Sequence, residues 1–183
     1  MSYTLISTVT LTSNQASISF NSIPATFDDL VIVMSGRSDG TANFLCGLQF
    51  NGASTNQSAR ILFGNGSSAS SFSYTASGDY NIFGYMSDSG QTASTFGSIS
   101  FYIPNYRSSV AKSVSTDSVN ENNATLVRMA ISAGLWNSTS AITSLTLVPV
   151  SSSTLAASGN FASASSASLY GITRGSSGGV VVS

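Results

Sequence analysis

The sequence predicts an all-β fold, a β-sandwich of jelly-roll type, on three observations. Apolar residues recur at spacing two in segment after segment, the period of a half-buried strand. No window of helix length carries the i, i+3, i+4, i+7 apolar pattern together with good helix formers, and Glu, Lys and Gln are scarce. The apolar segments are short and are bounded by Gly, Asn, Asp, Ser and Pro, which build turns. Strands with no helix to cover them must stack sheet on sheet.

Taken in order, Thr4–Leu11 opens the chain as a β-branched run, and Ile18 and Phe20 then alternate with Ser17 and Ser19. Leu30–Ser35 follows; its core, Leu30-Val31-Ile32-Val33-Met34, is apolar on both faces. Such a run belongs in the middle of a sheet, covered on one side by the core and on the other by a loop or a neighbouring subunit. Phe44, Cys46, Leu48 and Phe50 alternate, followed by Ala59–Phe63 and Tyr80–Tyr85. Ile99, Phe101 and Ile103 alternate with Ser98, Ser100 and Tyr102. Ser109–Ser115, Leu126–Ser132, Ile142–Val148 and Ala167–Ile172 complete the expected strands. Gly64 to Gly78, Ser87 to Ser94 and Ser151 to Ser168 hold few aliphatic residues and read as long surface loops. Asp117 to Asn123, with Val119 as its one apolar residue, reads as a loop or at most one helical turn. Residues 1–173 are expected to form a single sandwich domain, and residues 174–183 a flexible tail. The tail ends in Val180-Val181-Val182, three β-branched residues behind a Gly/Ser linker, which are expected to dock on a sheet edge of this chain or of another.

Composition narrows the function. Of the 183 residues only 7% are charged and 42% are hydrophobic, so the surface is built from hydroxyls and amides while a full core remains available. A net charge of −1 with six scattered Lys and Arg argues against nucleic acid as a partner. No apolar stretch approaches the ~18 residues of a spanning helix, so no membrane partner is expected. Met1 leads straight into Tyr3-Thr4-Leu5-Ile6 without the basic and apolar regions of a signal peptide, and synthesis in a cytoplasm without export by that route is expected.

Histidine is absent, which removes the usual general base near neutral pH, the usual zinc ligand and the usual triad member. Cys46 is the one cysteine and reads as a small buried hydrophobe in Phe44-Leu45-Cys46-Gly47-Leu48. Asp28-Asp29 and Asp39-Gly40 both read as turn chemistry, the latter as a hairpin turn, and no second carboxylate near Asp39 supplies a calcium loop. No catalytic residue, metal or cofactor is therefore expected. Trp136, with Tyr74, Tyr85 and Tyr106, has two readings: a stacking platform for a sugar ring, or a Trp closing one end of the core and tyrosines anchoring loops. Arg37, Arg60, Arg107 and Arg128 are candidates to pair with the few acids.

Five segments carry a resemblance: Ser2-Tyr3-Thr4-Leu5-Ile6-Ser7, Ile23-Pro24-Ala25-Thr26-Phe27-Asp28-Asp29-Leu30-Val31, Gln49-Phe50-Asn51-Gly52, Phe101-Tyr102-Ile103-Pro104-Asn105-Tyr106 and Ser168-Leu169-Tyr170-Gly171-Ile172. Together they resemble small structural proteins of tailed phages that infect marine and freshwater bacteria, cyanobacteria among them. The resemblance spans Ser2 to Ile172 and rests on strand and turn pieces, not catalytic signatures. It implies a place in the virion, as a capsid decoration (cement), tail or fibre component. The expectation is a non-enzymatic decoration protein that contacts the major capsid protein or other virion proteins and assembles as a trimer or dimer. Val180, Val181, Val182, Trp136, Tyr74 and Tyr106 are the candidate interface residues. The alternative is a receptor- or carbohydrate-binding module of a tail fibre or spike, with a host surface glycan as ligand.

Overall fold

The computed structural model of the chain describes residues 1–42, 44–75, 80–123 and 127–175. Among these residues twelve strands follow one another: β1 (Ser2–Thr10), β2 (Ile18–Phe20), β3 (Asp29–Gly36), β4 (Leu45–Phe50), β5 (Gln57–Gly64), β6 (Ala69–Thr75), β7 (Phe83–Tyr85), β8 (Gly97–Ile103), β9 (Lys112–Asn120), β10 (Arg128–Trp136), β11 (Leu145–Val150) and β12 (Ser166–Thr173). They form an eight-stranded sheet, β1-β12-β3-β8-β9-β10-β5-β6, and a four-stranded sheet, β2-β11-β4-β7. Every pairing within the two sheets is antiparallel. The β-sandwich expected from the sequence is present, with a lopsided division of strands that the sequence reading did not anticipate.

The period-two pattern sets which side chains meet. Leu30, Ile32 and Met34 of β3 and Ile99, Phe101 and Ile103 of β8 line the inner face of the large sheet. Ile18 and Phe20, Leu48 and Phe50, and Leu145 and Leu147 answer from the small one. A second cluster, around Ile61, Tyr80, Phe83, Tyr85, Val150 and Leu155, fills the end near β5 and β7. Close approach fixes the fit there: a Cβ on Gly97 would lie 2.6 Å from the Met86 Cα, and one on Gly84 2.5 Å from the Ile99 Cγ2. Gln57 bonds the two layers, its amide donating to the Leu48 carbonyl at 2.7 Å and accepting from the Ile82 N–H at 3.0 Å. Pro149 is tolerated inside β11 because β2 pairs only with Leu145 to Leu147; beside Pro149 the edge meets an irregular segment, where the Ser158 N–H donates to the Pro149 carbonyl and no donor is asked of the proline.

Four expectations are corrected. Gly64 to Gly78 is not one loop: Ala69–Thr75 is a strand along β5, with Phe72 and Tyr74 on the side facing Ile61 and Ala59. Asp117 to Asn120 is not a loop or helical turn but the second half of β9, whose inward residues, Thr116, Ser118 and Asn120, are buried although polar. Asp39-Gly40 turns no hairpin, since β3 and β4 lie in different sheets. Instead Asp39 anchors the crossing, accepting from the Asn160 N–H at 2.8 Å, the Asn160 amide at 2.9 Å and the Asn14 amide at 3.0 Å. Ser87 to Ser94 is irregular but not wholly on the surface: Ser87, Asp88 and Gln91 are buried, and Arg37 clamps the segment through the Gln91, Thr92 and Thr95 carbonyls.

Candidate binding face

The inner face of the large sheet is covered by the small sheet. Among the described residues, no second layer covers its outer face along β9, β10 and β5. On β10 the even-numbered Ala130, Gly134 and Trp136 turn inward and are buried, so the odd-numbered Met129, Ile131, Ala133 and Leu135 turn outward. Cross-strand register extends that row. Met129 stands opposite Val119 and Gly64, Ile131 opposite Asp117 and Leu62, and Ala133 opposite Ser115 and Arg60. The result is a contiguous apolar patch: Met129 is 61% exposed, Ile131 58%, Leu62 54% and Val119 44%. A shallow depression of about 370 Å³ lies between them. Single exposed apolar residues are ordinary, but a cross-strand cluster of them is the kind of surface at which contacts form, which makes this face the candidate site. Further along the sheet, Val33 of β3 is also open at 46%, on the run for which a second covering layer was expected.

Sequence reasoning missed this patch because it located β10 at Leu126–Ser132, where the apolar-on-both-faces character is cut short. The signal was present in Met129-Ala130-Ile131-Ser132-Ala133-Gly134-Leu135-Trp136, a second run apolar on both faces.

The residues singled out beforehand lie elsewhere. Trp136 is inside, its ring stacked on Phe50 at 5.0 Å between centroids and 13° between planes, with the Lys112 ammonium 5.7 Å from its centre. Tyr106 is inside as well, its hydroxyl donating to the Pro24 carbonyl. Tyr85 is buried against Phe83 and Phe63, and its phenol is pushed up to about 12, chiefly by burial. These three rings therefore belong to the core, and no sugar platform forms around Trp136. Tyr74 is half-buried on β6, edge-on to Phe83 at 5.4 Å. Val180, Val181 and Val182 lie outside the described residues.

The charged side chains serve the fold's own joints. Asp29 is wholly buried at the start of β3 and accepts from the Tyr102 hydroxyl at 2.9 Å, the Asn105 N–H at 2.9 Å and the guanidinium of Arg174. Burial alone would raise its carboxyl, but the bonds from Arg174, Asn105 and Tyr102 and the Arg174 charge outweigh it and hold it below the ordinary 3.8. Arg174, assigned from sequence to the free tail, is thus tied to the domain, and its N–H also donates to Asp28 at 2.8 Å. Arg107 pairs with Asp28 at 3.4 Å. Lys112 is fully buried with its ammonium on the Val110, Ser138 and Ser140 carbonyls. Arg128 lies 3.8 Å over the Phe44 ring. Of the four arginines expected to seek acids, only Arg107 does so among the described residues.

Cys46 is buried, and desolvation pushes its thiol far above the ordinary range. No group of three His, Cys, Asp or Glu that could hold a metal occurs among the described residues. Among those residues, no helix is long and apolar enough to cross a membrane. Compared with known proteins, the chain matches no family model, no curated protein and no solved structure.

Proposed function

We propose that this chain is a structural protein of a virion, a capsid decoration protein that reinforces the head through contacts with other protein chains. The observation that carries a docking role is the open apolar face on β9, β10 and β5, set in a surface otherwise dominated by hydroxyls and amides. The resemblance of its strand and turn segments to phage structural proteins supplies the virion setting. The internal use of Asp29, Lys112, Arg37 and Arg128 supports the same reading, because it leaves few free charges to steer a small substrate. The carbohydrate-binding alternative loses its main support with Trp136 and Tyr106 in the core.

An add-back experiment tests this. Particles produced without the chain are mixed with the purified protein and washed at rising salt. Binding to particles that persists into molar salt is expected, since an apolar and hydroxyl contact is screened little. Failure to bind such particles, or release at moderate salt, contradicts the reading.

A further inference from the structure

We propose that the open face of the large sheet is where two copies of this chain meet, face to face about a two-fold axis, with Ile131 near the centre and Arg60 of each copy paired to Asp117 of the other. This names the partner at the face described above and rests on the assembly role proposed for it.

The face is self-complementary in charge. Asp117 lies beside Ile131 on the β9 side of β10, and Arg60 lies beside Ala133 on the β5 side. Two strand spacings and a two-residue offset put their backbones roughly 12 Å apart, and no ion pair joins them within one copy. Neither takes part in the two ion pairs found among the described residues, where the Arg60 guanidinium donates to the carbonyl of its own neighbour Ala59. A two-fold axis lying in the contact plane and crossing β10 between them carries each onto the other's position. The acid of one copy then meets the base of its partner twice over, in a closed, isologous contact.

The same axis places Leu62 of each copy over Ile131 and Met129 of the other, so three exposed apolar side chains of the patch cover one another. The strands of the two copies cross steeply, one of the two regular ways in which sheets pack. Ser115 and Ser73 flank the patch and are small enough to let the faces approach. With one acid and one base the patch has no net charge, so copies of a chain of net charge −1 do not repel each other there.

The test is sedimentation equilibrium across about 1 to 100 μM, where a contact of modest area dissociates. The chain is expected to pass from monomer to dimer over this range. Ile131→Lys should leave it monomeric throughout, and Ile131→Thr, milder on the strand, should weaken the dimer with an unchanged far-UV spectrum. Arg60→Asp and Asp117→Arg should each weaken it about tenfold or more, while the double reversal R60D/D117R returns to within about threefold of wild type. A wild-type monomer at all concentrations, a dimer indifferent to Ile131→Lys, or a double reversal no tighter than the single ones overturns the proposal. Particle binding separates this from the virion reading. A monomeric chain that occupies particles and loses them on Ile131→Lys overturns self-pairing and leaves the virion role standing. A dimer rescued by the double reversal that never binds particles does the opposite.

Discussion

Replacing Asp29 with Asn removes one charge from a site with no exposure to solvent, and the consequences can be worked out bond by bond. The carboxylate accepts from Tyr102, from the Asn105 N–H and twice from Arg174. The amide keeps one acceptor oxygen for Asn105 but turns an NH2 group toward the Arg174 Nε, donor against donor. A hydrogen bond to a charged group contributes about 1.5–3 kcal/mol, and breaking a fully buried ion pair costs about 3–5 kcal/mol. The Arg174 side chain is 49% exposed and regains water, so the loss falls below the full buried-pair figure. We expect about 2–3 kcal/mol, or roughly 5–10 °C in Tm for a chain of this size. The pH dependence has a fixed sign. The folded carboxyl lies below its ordinary 3.8, so the contribution is complete above that value and is lost as pH falls through it toward the folded pKa. Urea denaturation of wild type and Asp29→Asn should show a constant gap between about pH 7 and 5 that narrows in stronger acid. Arg174→Gln should add little in the Asn background. Equal stabilities at neutral pH, or a gap that does not change in acid, would refute this account of the site.

Four further outcomes follow from the same geometry. Gly97→Ala forces a methyl against the Met86 backbone and should destabilise by about 2 kcal/mol, read by the urea midpoint; a neutral effect contradicts the close approach. Gln57→Leu keeps the volume but strands the Leu48 carbonyl and the Ile82 N–H, for a loss of about 2 kcal/mol in the same assay. Cys46 should react with a thiol reagent only as fast as the domain opens, with immediate labelling in denaturant; rapid labelling of the native chain would place the thiol outside the core. Deleting residues 176–183, which keeps Arg174 on Asp29, should leave the melting temperature within about 2 °C while weakening particle binding if Val180 to Val182 add a strand to a neighbour.

What could be read from the sequence follows from what each strand packs against. β3, β4 and β8 were legible because their inward residues are large and apolar while β4 and β8 keep small or polar residues between them. β9 past Ser115 was not, because Thr116, Ser118 and Asn120 point inward: Asn120 is buried for its bonds to the Met86 carbonyl and the Gln91 side chain, which period-two hydropathy does not register. β6 was missed because a sheet edge has little to bury, and the spacing of Phe72 and Tyr74 was its one signal. The two-faced run Leu30–Met34 did mark the middle of a sheet, third from one edge. Trp136 and Tyr106 carried no outward sign of their burial, since an aromatic residue in a polar stretch suits a core lid and a ligand platform equally well. The candidate face needs cross-strand register before Leu62, Val119, Met129 and Ile131 become neighbours, and local sequence does not contain that register.

The central claim, that this chain is a fixed part of a virion held there by protein contacts, is tested most directly by locating it in intact particles. An electron-microscopy map of purified virions should show its two-sheet density on the outside of the head, in regular stoichiometry with the major capsid protein and with the β9-β10-β5 face covered by protein. Particles that lack the chain, or density in which that face is bare, would contradict the claim.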